Sequence, residues 1–174
     1  MGLKYGTVCL EKYNSNWKIE FEREKEILRG IFGDYAICIE HVGSTSIPGL
    51  SAKPIIDIAV GVNDLRDVLF VEKLFSTHSN YLVKKDSVEG EILVVKSLDD
   101  DYTTHLIHVM ELDGNRYDDT ILFRNYLIQN KYILNKYENL KIELAAKCVN
   151  NLKMYTSSKN EFISEILNQA RSDG

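Results

Sequence analysis

The sequence predicts an α+β fold, a mixed β-sheet of five or six strands with two early helices, closed by three C-terminal helices packed on the sheet. Two patterns carry this expectation. Up to Met110, runs rich in Val, Ile and Tyr alternate with turn residues, and helical periodicity occurs in only two places. After Asp113-Gly114-Asn115, apolar residues recur three and four apart as far as Ala170. The 174 residues, 44% hydrophobic and 27% charged, suit one domain over 1–174 with a core of its own.

Leu3 to Leu10 reads as a short strand or an extended arm. Asn14 or Ser15 caps a helix from Trp17 to Phe32. Trp17, Phe21, Leu28, Ile31 and Phe32 share one face, Glu24 interrupts that stripe, and the charges of EFEREKE form the solvated face. Gly33 ends the helix. Tyr35 to Val42 reads as a strand, and the Gly-Ser-Pro segment after it as a loop with room for one helical turn. Pro54 to Val62 is an unbroken apolar run suited to the centre of a sheet. Asn63 or Asp64 caps a helix to Phe75. Tyr81 to Lys85, Glu91 to Ser97 and Thr104 to Met110 are strands, the last two joined through Asp99-Asp100-Asp101. Helices follow from Tyr117 to Gln129, Tyr132 to Asn150 and Thr156 to Ala170. There is no internal repeat and no low-complexity segment.

The net charge of −5 argues against broad electrostatic binding to nucleic acid or anionic membrane, and leaves room for a local basic pocket. No stretch approaches the roughly 18 apolar residues of a membrane span. Lys4 and Glu11 flank only a short apolar run, unlike a signal peptide. The expectation is a soluble, cytoplasmic protein. Cys9, Cys38 and Cys148 are odd in number, widely spaced and without CxxC, so they read as small buried hydrophobes.

The chemistry concentrates in HVGSTSIPGLSAKPIIDIAVGV, His41 to Val62. Gly43, Ser44, Thr45 and Ser46 cluster hydroxyls and backbone donors. Lys53 adds a positive charge, aimed by the extended geometry that Pro54 imposes. Asp57 lies between Ile56 and Ile58, where a carboxylate is costly unless something uses it. Such a set suits a phosphorylated small molecule, with Asp57 as a catalytic group and a ligand for magnesium. The bland alternatives are a structural acceptor for loop amides at Asp57 and a surface lysine at Lys53.

Gly43-Ser44, followed by Asp57-Ile58, resembles the signature of the nucleotidyltransferase superfamily. The longer block EHVGSTSIPGLSAKPIIDI resembles the hallmark of the GrpB family, also known as an uncharacterised protein family (UPF0157). THLIHVM resembles its His-rich strand and LFRNYL its Phe-Arg-Asp-Tyr-Leu helix. Tyr137 with Leu140-Lys141 and Leu144-Ala145 resembles its Tyr-x-x-Leu-Lys helix, and Tyr155, Lys159 and Phe162 its closing helix; Trp17 fits as well. The likeness spans essentially the whole chain. It implies a nucleotidyltransferase-like sheet and a nucleotide- or CoA-like ligand. Some family members are fused to dephospho-CoA kinase, but GxxxxGK[ST] does not occur here, so that activity is not carried over.

The chain also departs from the superfamily pattern. Two carboxylates two residues apart would reach the metals together, yet Ala59 stands two after Asp57. Glu91 and Glu111 are the candidates for a third carboxylate, both at strand ends. One metal or none is easier to defend than two. His105 and His108 are three apart and face opposite sides of a regular strand. His108 is the preferred catalytic residue, with Thr104 on its face, and His105 a binding residue; either reads alternatively as a structural imidazole. The family's histidine between them is Leu106 here. His41 either orients the loop or bonds nearby backbone. Arg124 reaches a phosphate or clamps a helix to the sheet, and Asn125 replaces the family's acid beside it. Lys141 and Lys159 project into the cleft or are solvated. Three functions follow: a nucleotidyl or phosphoryl transferase, a ligand-binding module that lost two-metal chemistry, and an accessory protein docking through its C-terminal helices.

Overall fold

The computed structural model describes residues 1–66, 68–85, 88–99 and 102–173. In chain order the elements are β1 (Leu3–Lys4), α1 (Asn16–Phe32), β2 (Ala36–Val42), β3 (Ile56–Val62), α2 (Val68–Leu74), β4 (Tyr81–Val83), β5 (Glu91–Ser97), β6 (Tyr102–Glu111), α3 (Asn115–Gln129), α4 (Lys131–Lys147), α5 (Leu152–Ser157) and α6 (Asn160–Asp173). The α+β expectation holds. The sheet runs β2-β3-β6-β5-β4, with β1 pairing β6 at its start. It is mixed, since β3 and β6 are parallel and every other pair is antiparallel. Of the expected Asp99-Asp100-Asp101 turn, Asp100 and Asp101 lie outside the described residues.

Alternation along the strands separates two faces. Ile56, Ile58, Val60 and Val62 pack with Ile107 and Val109 against Trp17, Phe21, Leu28 and Phe32 of α1. Several of these are wholly buried, and truncating one to alanine costs roughly 2–5 kcal/mol. Residues of opposite parity meet the C-terminal helices: Val42, Ala59 and Met110 pack with Tyr117 and Ile121 of α3. Asp57 and His108 share this second face. The order is therefore α1 and α2, then the sheet, then the C-terminal helices. Among the described residues no helix is long and apolar enough to cross a membrane.

Differences from the sequence expectation have local causes. Only Leu3–Lys4 pairs as a strand; the arm after it is tied by Val8 N–H to the Val149 carbonyl (2.9 Å) and by a bridge between Glu11 and Ala52. Asn14, not Ser15, supplies the side-chain cap of α1, accepting Asn16 N–H at 3.0 Å. Residues 63–66 turn rather than start a helix. Glu111 accepts Leu65 N–H, while the Tyr35 hydroxyl donates to the Asp64 carbonyl and accepts Arg66 N–H. A short unexpected helix, α5, precedes the last expected one, which begins at Asn160 rather than Thr156, and the two serve different cores. Leu152 and Tyr155 pack on Val8 and Cys148, whereas Phe162, Ile166 and Ala170 pack on Ile47, Leu50 and Tyr126. Asn151 caps α5 through Met154 N–H. Cys148 is buried as expected, but Cys9 is exposed and Cys38 meets the Tyr117 hydroxyl at 2.9 Å.

Candidate functional site

Gly43 opens a single 3₁₀ turn over Ser44–Ser46 at the end of β2. Its φ is +66°, and an added Cβ would stand 2.8 Å from Cβ and Cγ of Asp57 and nearer still to Oδ2. Glycine is what lets the loop backbone press against this carboxylate. Ile47 and Leu50 then bury among Tyr126, Leu127, Ile133 and Tyr137, fixing the loop between the sheet and the C-terminal helices. The loop and the acid therefore meet in space.

Asp57 is neither sealed nor free. About 29% of its side chain is exposed, and Oδ1 lies 3.6 Å from His108 Nε2. Parallel pairing sets His108 opposite Ala59 on Asp57's face. His108 Nδ1 meets Glu91 Oε1 at 2.6 Å, and Glu91 Oε2 accepts from Arg116 Nη2 at 2.8 Å. A chain Asp57–His108–Glu91–Arg116 results. Burial by itself would lower the His108 pKa, but the carboxylates of Asp57 and Glu91 outweigh it and raise it to about 9. Burial pulls Glu91 upward, and His108 and Arg116 win by holding it at about 2. At neutral pH this is an imidazolium clamped by one carboxylate and presented to another.

Three lysines approach the same carboxylate. Lys53 Nζ stands 5.8 Å from the centre of the Tyr155 ring, and Lys159 Nζ lies 4.4 Å from it. Lys141 Nζ sits 5.0 Å over Tyr137 and donates to the Ser51 carbonyl. Ser44 stands beside the Tyr137 hydroxyl, whose pKa burial pushes up to about 12. Burial lowers the pKa of all three lysines, while Asp57 pulls each the other way.

The remaining expected residues lie away from Asp57. Thr45, Ser46 and Arg124 line a groove of about 470 Å³ on the other side of the loop, with Phe21, His41 and Lys18. There Arg124 clamps α3 to β2 through Glu40 Oε2 and the His41 carbonyl, both at 2.9 Å. His41 does orient the loop: its ring stacks on Phe21, and Nε2 meets Thr45 Oγ1 at 3.0 Å. His105 lies on the opposite face of the sheet, at a cavity of about 510 Å³ shared with Trp17, Glu20 and Lys96. Thr104 serves His105, not His108. Its hydroxyl donates to the Lys96 carbonyl and so accepts from His105 Nδ1–H, leaving Nε2 without a proton, buried and unpartnered among the described residues. A register shift at Lys96/Ser97 accompanies this change of side.

The donors do not fit a resident magnesium. No group of three His, Cys, Asp or Glu converges among the described residues. Ala59 packs in an apolar cluster, Glu91 is spent on His108 and Arg116, and Glu111 is spent on Leu65. That leaves Asp57 alone, facing cations.

Lys141, Lys159 and Arg116 are the residues that sequence reasoning undervalued. Spacing gave no sign of Arg116. For Lys141 the helical period was the available signal, since it falls one turn after Tyr137 on the buried face.

Comparison with known proteins shows the family and the fold. The family model described as "GrpB protein" matches residues 7–169. The "Glutamate-rich protein GrpB" of Alkalihalophilus pseudofirmus is 38% identical, covering 97% of this chain and 99% of the relative. The "UPF0157 protein YqkA" of Bacillus subtilis is 32% identical over 87% of this chain, which spans only 43% of that longer protein. The crystal structure of the conserved protein GrpB from Enterococcus faecalis superposes with a TM-score of 0.83 at 30% identity, over 95% of this chain and 98% of that one.

Proposed function

The chain belongs to the GrpB family, and from that premise we propose that it binds a phosphate-containing small molecule, of nucleotide or CoA-like type, in the cleft between Asp57 and the C-terminal helices. One observation carries this reading: the Gly43–Ser46 loop is pressed onto Asp57 with the Lys53 ammonium alongside and unpaired among the described residues. Backbone donors and a partly desolvated cation attract an anion more strongly than the same groups would in water. Within this reading, Gly43 and Ser44 position the phosphate and Lys53 neutralises it. Thr45, Ser46 and Arg124 hold the loop from its far side.

A second reading, transfer of the nucleotidyl or phosphoryl group, is favoured by the clamped His108. An acceptor hydroxyl attacking phosphorus would give its proton to Asp57, and the leaving oxygen would take the proton on His108 Nε2. Glu91 would hold the imidazolium in place throughout.

The test is thermal melting with a panel of inorganic phosphate, nucleotides and CoA precursors. A true ligand at a hundred times its Kd adds about 2.7 kcal/mol to stability. Lys53→Ala should lose that gain. Asp57→Asn should keep or improve binding, since a negative charge leaves an anion site, while any transfer of phosphate between panel members stops. A flat response of the wild-type protein across the panel would remove the binding reading, and with it the transfer.

A further inference from the structure

Two of the lysines near Asp57 are not needed to hold one phosphate at the loop. Lys141 on α4 is 1% exposed, yet its nearest carboxylates do not pair with it: Glu138 is turned to the Ser51 backbone and hydroxyl. One N–H of Lys141 goes to the Ser51 carbonyl, which leaves two donors over. Lys159 stands where α5 breaks from α6, against the same Tyr155 ring that Lys53 approaches. Among the described residues none of the three ammonium groups lies within ion-pair distance of a carboxylate.

They also repel one another. Burial and then Lys53 hold Lys159 at about 8; burial and then Lys159 hold Lys141 at about 7. Packing mutually repelling, half-desolvated cations around two tyrosines weakens the fold unless an anion answers them. A single phosphate at the loop answers Lys53 and leaves the pair on the helices unmatched.

We propose that the site at Asp57 takes a ligand with two linked anionic groups, such as a diphosphate: one held by Gly43, Ser44 and Lys53, the other by Lys159 and the spare donors of Lys141. This rests on the phosphate reading above and adds the second anion to it. The C-terminal helices thereby become part of the binding site, and the break between α5 and α6 is what delivers Lys159 to it. The Tyr155 ring, which both Lys53 and Lys159 approach, joins the two halves of the site.

Calorimetry on the full chain at pH 7 and fixed ionic strength tests this with two probes, inorganic phosphate and methylenediphosphonate, which cannot be hydrolysed. The diphosphonate should bind at least about tenfold more tightly than phosphate. Lys159→Gln should bring that ratio near one while leaving phosphate affinity almost unchanged, and Lys159→Arg should restore most of it. Lys53→Gln should weaken both probes alike. Lys159 is partly buried and belongs to no apolar core cluster, so its replacement should leave the core intact; a melting curve without ligand checks that. Equal affinity for the two probes, or a Lys159→Gln variant that weakens both equally, overturns the second subsite and leaves the phosphate site standing. Binding of neither probe overturns both.

Discussion

The molecule buries charge in two places and treats it in opposite ways. On the α1 side of the sheet, Glu24 is 2% exposed, pairs with Lys96 and accepts the Tyr81 hydroxyl at 2.6 Å. These three charged and hydroxyl groups satisfy one another, while His105 beside them keeps a buried Nε2 without a partner among the described residues. Across the sheet, Lys53, Lys141 and Lys159 lie by Tyr155 and Tyr137 within the field of Asp57, none of them in an ion pair among the described residues. Similar residue types are present in both places. A closed cluster is explained by the fold that contains it; an open surplus of one sign points outside the chain for its complement.

Breaking the closed cluster should give the largest effect. Glu24→Ala strands Lys96 and Tyr81 in an apolar layer, and urea unfolding should register a loss of about 3–5 kcal/mol. A loss below about 1 kcal/mol would mean that the two clusters are not different in kind. Next is the loop of the open site. Gly43→Ala adds a Cβ into Asp57 at a positive φ, so about 1–3 kcal/mol of stability should go, with phosphate binding lost beyond that of other loop variants.

Lys141→Met should behave in the reverse sense to Glu24→Ala. It removes an unmatched buried charge, so stability without ligand should hold or rise, while anion affinity falls. A large destabilisation would show that the Ser51 carbonyl bond matters more than the charge.

Acidity sharpens the contrast. Lys141 and Lys159 have folded pKa values of about 7 and 8, below the 10.5 of an unfolded lysine. The unfolded chain therefore binds more protons between these limits, and the lysines' contribution to stability should rise from about pH 7 to 10. Anion binding favours the charged lysines, so affinity should fall over pH 7 to 8. Opposite slopes in melting and calorimetry are the expected signature, and parallel slopes would contradict it. His108 contributes with the other sign: its folded pKa of about 9 exceeds 6.5, so its stabilisation is complete below 6.5 and is lost through pH 9. The smallest effect is spectroscopic. The His108 ring should titrate near pH 9 by NMR, and Glu91→Gln should move that midpoint toward 6.5.

Much of the fold was legible because periodicity reports burial directly. The apolar run of β3, the stripe of α1 and the helical C-terminal third all followed from spacing. Asp57 was legible as well, being a charge where an apolar residue is expected. Glu24 carried the same signal but in a helix, where its neighbours in EFEREKE disguised it as part of a solvated face. The division of the loop was not legible, since Ser44 and Thr45 are adjacent in sequence and serve opposite sides of a turn. Nor was the side taken by Thr104, which a register shift decides.

The amino-acid order by itself determined the α+β class, the loop with its acid, and membership of the GrpB family, because local pattern and motif do not depend on distant partners. Only the tertiary structure decided that His108 is clamped by Glu91, that His105 stands across the sheet, and that lysines from α4 and the α5–α6 break meet Lys53. Glu91 reaches His108 across 17 residues and Lys141 reaches Ser51, close before Lys53, across 90, and electrostatics acts through distance in space, to which sequence spacing is blind.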